Sequence, residues 1–117
     1  MAARAGARQL SPSALVTGGA GFAGRHVVEL LRARGDEVGA PPREELELLD
    51  ADAVRAWVRD ARPDAVFHLA AQASVPYSWE HPRQTLRENA ETTLNVLEAV
   101  RLEAPGAAVV IAGSGEV

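Results

Sequence analysis

Gly18, Gly21 and Gly24 stand three residues apart in the stretch Ala14 to Gly24, A-L-V-T-G-G-A-G-F-A-G. The first follows a short apolar run, and a helical pattern opens at the last. This spacing suits one kind of chemistry, the seating of a diphosphate. Gly18 lets a chain leave a strand in a tight turn, and Gly21 lets backbone approach a pyrophosphate where a Cβ would collide. Gly24 lets the following helix lie close against the sheet. The start of that helix would then face the phosphates with unpaired N–H groups and partial positive charge. Glycine triplets are common, so the context of strand, turn and helix carries the reading.

The elements that must position this turn can be read along the chain. Ala14 to Thr17 reads as a short buried parallel strand, and Ala23, Val27, Leu30 and Leu31 then recur at helical spacing up to Gly35, a C′ residue. Glu37 to Ala40 reads as a second strand, which Pro41-Pro42 must turn. Leu46 to Leu49 is a brief apolar patch, and Asp50 sits where an N-cap belongs. Val54, Trp57, Val58 and Ala61 line a second helix that stops before Pro63. Ala65 to Leu69 reads as the third strand. Leu86, Ala90, Thr93, Leu97 and Val100 mark a long third helix ending near Pro105-Gly106, and Ala108 to Ala112 reads as the fourth strand. Strands alternating with helices at such short separations predict βαβ crossovers and a parallel sheet covered on both faces, in the order 3-2-1-4.

Composition narrows the function classes. The chain has 117 residues, 47% of them apolar and 24% charged, enough for one domain with a core of its own. Its formal net charge is −4 and it contains no lysine, so no basic stripe is expected to follow a nucleic-acid backbone. It contains no cysteine, which removes disulfides, thiol chemistry and Cys-ligated metal sites. No apolar run approaches a membrane span and Met1 to Arg8 lacks the apolar segment of a secretory signal, so a cytoplasmic location without a membrane partner is expected.

Three motifs in order, T-G-G-A-G-F-A-G, H-L-A-A-Q-A-S-V and G-S-G-E-V, each end a predicted strand. Through them the chain from about Ala14 to Val117 resembles the extended short-chain dehydrogenase/reductase family, of the NAD-dependent epimerase/dehydratase type, whose members act on nucleotide sugars. The resemblance implies an α/β fold, a Rossmann-type parallel sheet with helices on both faces, here truncated after the fourth strand. Residues 1–12 are expected to be a disordered tail and residues 13–117 the amino-terminal part of a dinucleotide-binding domain.

Within that family, Gly18, Gly21 and Phe22 would surround the pyrophosphate while Gly24 packs the helix. The tip of the second strand, Ala40-Pro41-Pro42-Arg43, carries no carboxylate to accept a ribose 2′-hydroxyl, whereas Arg43 could pair with a 2′-phosphate. This tilts the expected cofactor to NADP over NAD; the alternative is a solvated Arg43 beside Glu44 and Glu45. Glu47-Leu48 stands where relatives use an Asp and an aliphatic residue against the adenine. Leu69, Ala70 and Ala71 would pass beside the cofactor ribose, and His68 would be packed and hydrogen-bonded within the sheet. Asn89 would bridge backbone or cofactor groups. The loop of Ser74, Val75, Tyr77, Ser78 and Trp79 would line a sugar-nucleotide pocket, with Trp79 equally readable as a hydrophobic anchor.

Ser114 matches the family's active-site Ser/Thr, which orients the sugar oxygen, and a glycine-flanked Ser is also an ordinary strand-to-loop turn. Glu116 resembles the acid of the Thr/Ser-x-Glu motif of 4,6-dehydratases, and some nucleotide-sugar reductases carry a similar Glu. The short segment between the second and third strands looks most like 4-keto-6-deoxy-sugar reductases. The implied parent is thus a GDP-mannose 4,6-dehydratase-like or GDP-4-keto-6-deoxymannose reductase-like enzyme with a nucleotide-sugar substrate. A nucleotide-sugar epimerase fragment and a stand-alone dinucleotide-binding or regulatory module are the alternatives.

The family's proton-transfer pair, a Tyr with a Lys one helical turn later, is not in the sequence: Tyr77 is the single tyrosine and there is no lysine. No turnover by this chain alone is therefore expected. A fourth strand left as an apolar edge would invite aggregation or pairing into a homodimer.

Overall fold

The computed structural model describes residues 12–70 and 79–112. Its elements in order are β1 (Ser13–Thr17), α1 (Phe22–Ala33), β2 (Glu37–Gly39), α2 (Ala51–Ala61), β3 (Ala65–His68), α3 (Pro82–Glu103) and β4 (Ala108–Ile111). All strand pairs are parallel, with Leu15 beside Gly39, Val66 beside Leu15, and Val109 beside Val66.

Side-chain alternation along the strands builds two apolar layers. On one face Ala14 and Val16 of β1 pack with Val28 and Leu31 of α1, and Phe67 joins them from β3. On the other face Leu15 and Val66 meet Val54 and Val58 of α2 and Val96, Ala99 and Val100 of α3. Helices therefore cover both faces, as the alternating pattern predicts.

The strand order is β2-β1-β3-β4, which corrects the expected 3-2-1-4. β3 adds to the free edge of β1, not to the outer edge of β2. The physical reason lies in the strands themselves: four of the five β1 residues are buried, whereas β2 has three residues, none buried, with Glu37 exposed. β1 can sit in the middle of a sheet, and β2 can only edge it. The chain thus leaves β1 in opposite directions, to β2 by α1 and then across to β3 by α2. The carboxyl end of β1 becomes the switch point at which open α/β sheets bind ligands.

Each helix end follows local rules. α1 stops in a Schellman motif: Gly35, at φ +93°, donates to the Arg32 carbonyl at 3.0 Å and Asp36 to the Leu31 carbonyl at 3.0 Å. α2 starts at Asp50, whose carboxylate accepts the Ala53 N–H at 3.1 Å, and ends at Arg62 in the left-handed region just before Pro63.

The apolar stripes are rotated from those the spacing suggests. α1 buries Gly24, Val28 and Leu31, while Leu30 is 70% exposed. α3 buries Thr85, Val96, Ala99 and Val100, and of the expected stripe Leu86 and Leu97 face outward with Ala90. Small residues take part in the buried faces: Gly24 lies against the Gly18 turn and Ala99 is buried among Leu15, Val54, Val58 and Val66, which a count of large apolar residues misses.

Candidate functional site

The turn after β1 is built around two glycines that admit no side chain. Gly18 has φ +73°, and a Cβ there would lie 2.8 Å from the Ala70 nitrogen at the end of β3. A Cβ on Gly24 would lie 1.8 Å from the Gly18 carbonyl oxygen, so α1 rests directly on the turn that precedes it. Gly21 differs. Its backbone is ordinary extended chain, φ −75° and ψ 173°, and its Cβ would meet nothing nearer than the Gly18 oxygen at 3.4 Å. Internal packing does not require glycine there; the close approach of a ligand would.

Gly21 is also the N-cap of α1. No side chain caps this helix and its first turn holds no acidic residue, so its positive end is left open toward the turn.

One wall is fixed by a buried polar clasp. The Thr17 hydroxyl oxygen accepts the backbone N–H groups of Leu69 at 3.0 Å and Ala70 at 3.1 Å. Its lone pairs so engaged, the hydroxyl donates its proton to His68 Nδ1 at 2.7 Å, which leaves the imidazole proton on Nε2. Burial holds the His68 pKa below its ordinary value, in keeping with this neutral form. His68 is 3% exposed and is therefore a strut of the sheet, while Leu69 and Ala70 are presented at the cleft.

The turn opens into a cleft of about 680 Å³ that runs from Gly18 and Gly24 to the tip of β2. Of the residues expected at a cofactor, Gly18, Gly21, Phe22, Gly24, Arg43, Glu47, Leu48, Leu69, Ala70 and Asn89 all border it. Phe22 is 77% exposed, with its ring edge-on to His26 at 4.7 Å. Ala71, Ser114 and Glu116 lie outside the described residues, as do Ser74, Val75, Tyr77 and Ser78. Trp79 is 81% exposed, which removes the anchoring role for it among the described residues.

Three residues in or behind the cleft wall carry roles that spacing alone does not reveal. Trp57, read as a core residue of the second helix, is only partly buried and borders the cleft beside Leu46 and Leu48. Asn95 of α3 donates to the Leu48 carbonyl at 2.8 Å and so pins the segment before α2 to the helix packed beside it. Thr17 is legible in the sequence only as a strand residue, although a Thr at a strand end beside a Gly turn is the one signal that could mark it.

At the far end of the cleft, Arg43 faces Glu47, with Nε 3.5 Å from Oε1, and both are substantially exposed. The other carboxylate oxygen of Glu47 accepts the Leu49 N–H at 3.2 Å. Arg43 is thus paired one turn along the segment, and not with its neighbours Glu44 and Glu45 among the described contacts.

Residues 14–117 match the NAD dependent epimerase/dehydratase family. The chain belongs to that family. The GDP-6-deoxy-D-mannose reductase of Pseudomonas aeruginosa is 35% identical over 104 residues, which are 87% of this chain and 34% of that protein. The UDP-glucose 4-epimerase of Thermus thermophilus, solved in complex with NAD, aligns with a TM-score of 0.70 and 40% identity over 78% of this chain and 34% of its own. A GDP-mannoheptose C4 reductase from Campylobacter jejuni with NADP bound aligns with a TM-score of 0.81 and 26% identity over 91% of this chain and 32% of its own. The chain spans about a third of the length of these relatives. Among the described residues no helix is long and apolar enough to cross a membrane, and no cluster of His, Asp and Glu could hold a metal ion.

Proposed function

We propose that this chain is the cofactor-holding part of a nucleotide-sugar oxidoreductase and that it binds the adenosine diphosphate half of NADP, or less tightly of NAD. The observation that carries the reading is the uncapped start of α1 above a turn in which Gly18 and Gly24 are sterically obligatory and Gly21 is not. A glycine that packing does not demand, at a helix start no side chain closes, fits a diphosphate seat. Gly18, Gly21 and Phe22 would surround the diphosphate and Gly24 would hold the helix against it.

At the adenosine end Leu48 offers apolar contact to the base, and the neighbouring Glu47 carboxylate faces Arg43. Arg43 supplies the guanidinium for a 2′-phosphate, and no acid stands at Ala40-Pro41-Pro42 to favour a 2′-hydroxyl. Leu69, Ala70 and Ala71 would flank the ribose on the other side, and Asn89 would bridge from α3. When bound, the nicotinamide supplies or accepts a hydride. Ser114 would orient the sugar oxygen and Glu116 would handle a proton next to it, roles that rest on the family resemblance.

The relatives include reductases and epimerases of nucleotide sugars alike; the short segment between the second and third strands is what favours a reductase in this reading. The sequence holds no lysine, so the proton-transfer pair of the family cannot be assembled from these residues. The chain then seats a cofactor without completing turnover, which also describes a stand-alone dinucleotide-binding module. Calorimetric titration with NADPH and NADH tests the reading: saturable binding of both, tighter for NADPH, is expected, and absence of binding to either would overturn it.

A further inference from the structure

The Arg43 and Glu47 pair lies within the cleft wall itself, and its geometry is set by the chain around it. The turn after Pro41-Pro42 is held by the Glu45 and Leu46 N–H groups, both bonded to the Pro42 carbonyl at 2.9 and 3.1 Å. Beyond it, Asn95 anchors Leu48 at 2.8 Å and the Leu49 N–H fixes one oxygen of Glu47 at 3.2 Å. The remaining oxygen of Glu47 faces the Arg43 guanidinium at 3.5 Å. The carboxylate is therefore the fixed partner and the arginine, 75% exposed, the adjustable one.

We propose that Glu47 is a specificity-determining residue that competes with the cofactor's 2′-phosphate for Arg43 and so draws the site's preference back toward NAD. This rests on the cofactor reading above. A guanidinium binds phosphate best when its fork is free to meet two oxygens. Here a 2′-phosphate must take Arg43 from Glu47 and then sit near a fixed negative charge. A 2′-hydroxyl meets neither obstacle. The contact expected from the family, an acid against adenine, would instead act alike on both cofactors.

The test uses the adenosine end alone, with adenosine 2′,5′-bisphosphate and 5′-AMP as probes titrated into the full chain by calorimetry. Glu47→Gln keeps an oxygen for the Leu49 N–H and removes the charge. Because exposed ion pairs are weak, it should tighten bisphosphate binding by only about threefold and leave 5′-AMP within about 1.5-fold. Arg43→Ala should weaken bisphosphate binding by about tenfold with 5′-AMP little changed. In the Arg43→Ala background the gain from Glu47→Gln should shrink to below about twofold, since the competition has gone and only the direct repulsion between Glu47 and the phosphate is left. Equal changes for the two probes would overturn the proposal and make Glu47 a base contact; an undiminished gain without Arg43 would overturn it as well. Failure of the unaltered chain to bind either probe would contradict the cofactor reading itself, and the assignment of Glu47 with it.

Discussion

The starts of α1 and α2 lie in the same small fold and are finished in opposite ways. α2 begins at Asp50, whose side chain takes the Ala53 N–H, and Asp52 adds negative charge to its first turn. α1 begins at Gly21, with neither a side-chain cap nor an acid in its first turn. Both helices present the same partial positive charge and the same orphan N–H groups. One end is satisfied by its own chain and the other is left for a guest. On the proposed reading, a helix start becomes a ligand seat through what the sequence withholds from it.

The largest effect should come from removing the packing that holds the open start in place. Gly24→Ala sets a Cβ against backbone at a separation of 1.8 Å, which only a displacement of α1 can relieve. A loss of about 3 kcal/mol in denaturant-derived unfolding free energy is expected. A loss under about 1 kcal/mol would mean that α1 does not rest on the Gly18 carbonyl as described.

Next is the wall beside that start. Thr17→Val removes the oxygen that receives two partly buried backbone N–H groups and the buried proton donated to His68. It should cost about 2 kcal/mol of stability and weaken cofactor binding by displacing Leu69 and Ala70. Unchanged stability would show that the clasp is incidental.

The closed start should behave differently. Asp50→Ala should lower stability by about 1 kcal/mol, read from the same denaturation curves, and leave dinucleotide affinity untouched. A parallel loss of affinity would erase the contrast between the two ends.

The smallest effect is one of pH. His68 is buried neutral, with its folded-state pKa lowered by burial, so the unfolded chain binds more protons as the solution is acidified. The stability this contributes is full above the ordinary imidazole pKa of about 6.5 and declines as pH falls below it toward the folded-state value. Unfolding free energies measured between pH about 7.5 and 5 should show that decline, and His68→Gln should reduce its slope.

Much of this contrast is legible in the residues. The glycine spacing places the open start, Asp50 announces the closed one, and alternating elements announce a two-faced parallel sheet. Strand order is not legible, because spacing says nothing about which edge of β1 receives β3; the shortness of β2 and the burial of β1 decide it. The burial face of α3 is misread for a related reason. Leu86 and Leu97 satisfy the period with Val100 as well as Val96 does, and only the packing of the Val96 and Ala99 face against Leu15, Val54, Val58 and Val66 chooses between them. At the cleft, motif residues are found by pattern. Thr17 and Asn95 act instead through hydrogen bonds to residues 52 and 47 positions away, and Trp57 through its partial exposure, to which local pattern is blind. The partnership of Arg43 with Glu47 lies in between: an i,i+4 separation is readable spacing, but a turn had to place them on one side.

The central claim, that the start of α1 is left open for a diphosphate, is tested most directly by closing it as α2 is closed. Gly21 has a backbone any residue adopts and room for a Cβ, so Gly21→Asp should be tolerated and should cap α1. NADPH titrated by calorimetry into this variant and the unaltered chain, with helicity checked by circular dichroism, gives the answer. The account predicts retained helicity, equal or higher stability, and NADPH affinity lowered at least about tenfold by a carboxylate in the anion seat. A folded Gly21→Asp chain that binds NADPH as tightly as before would contradict it.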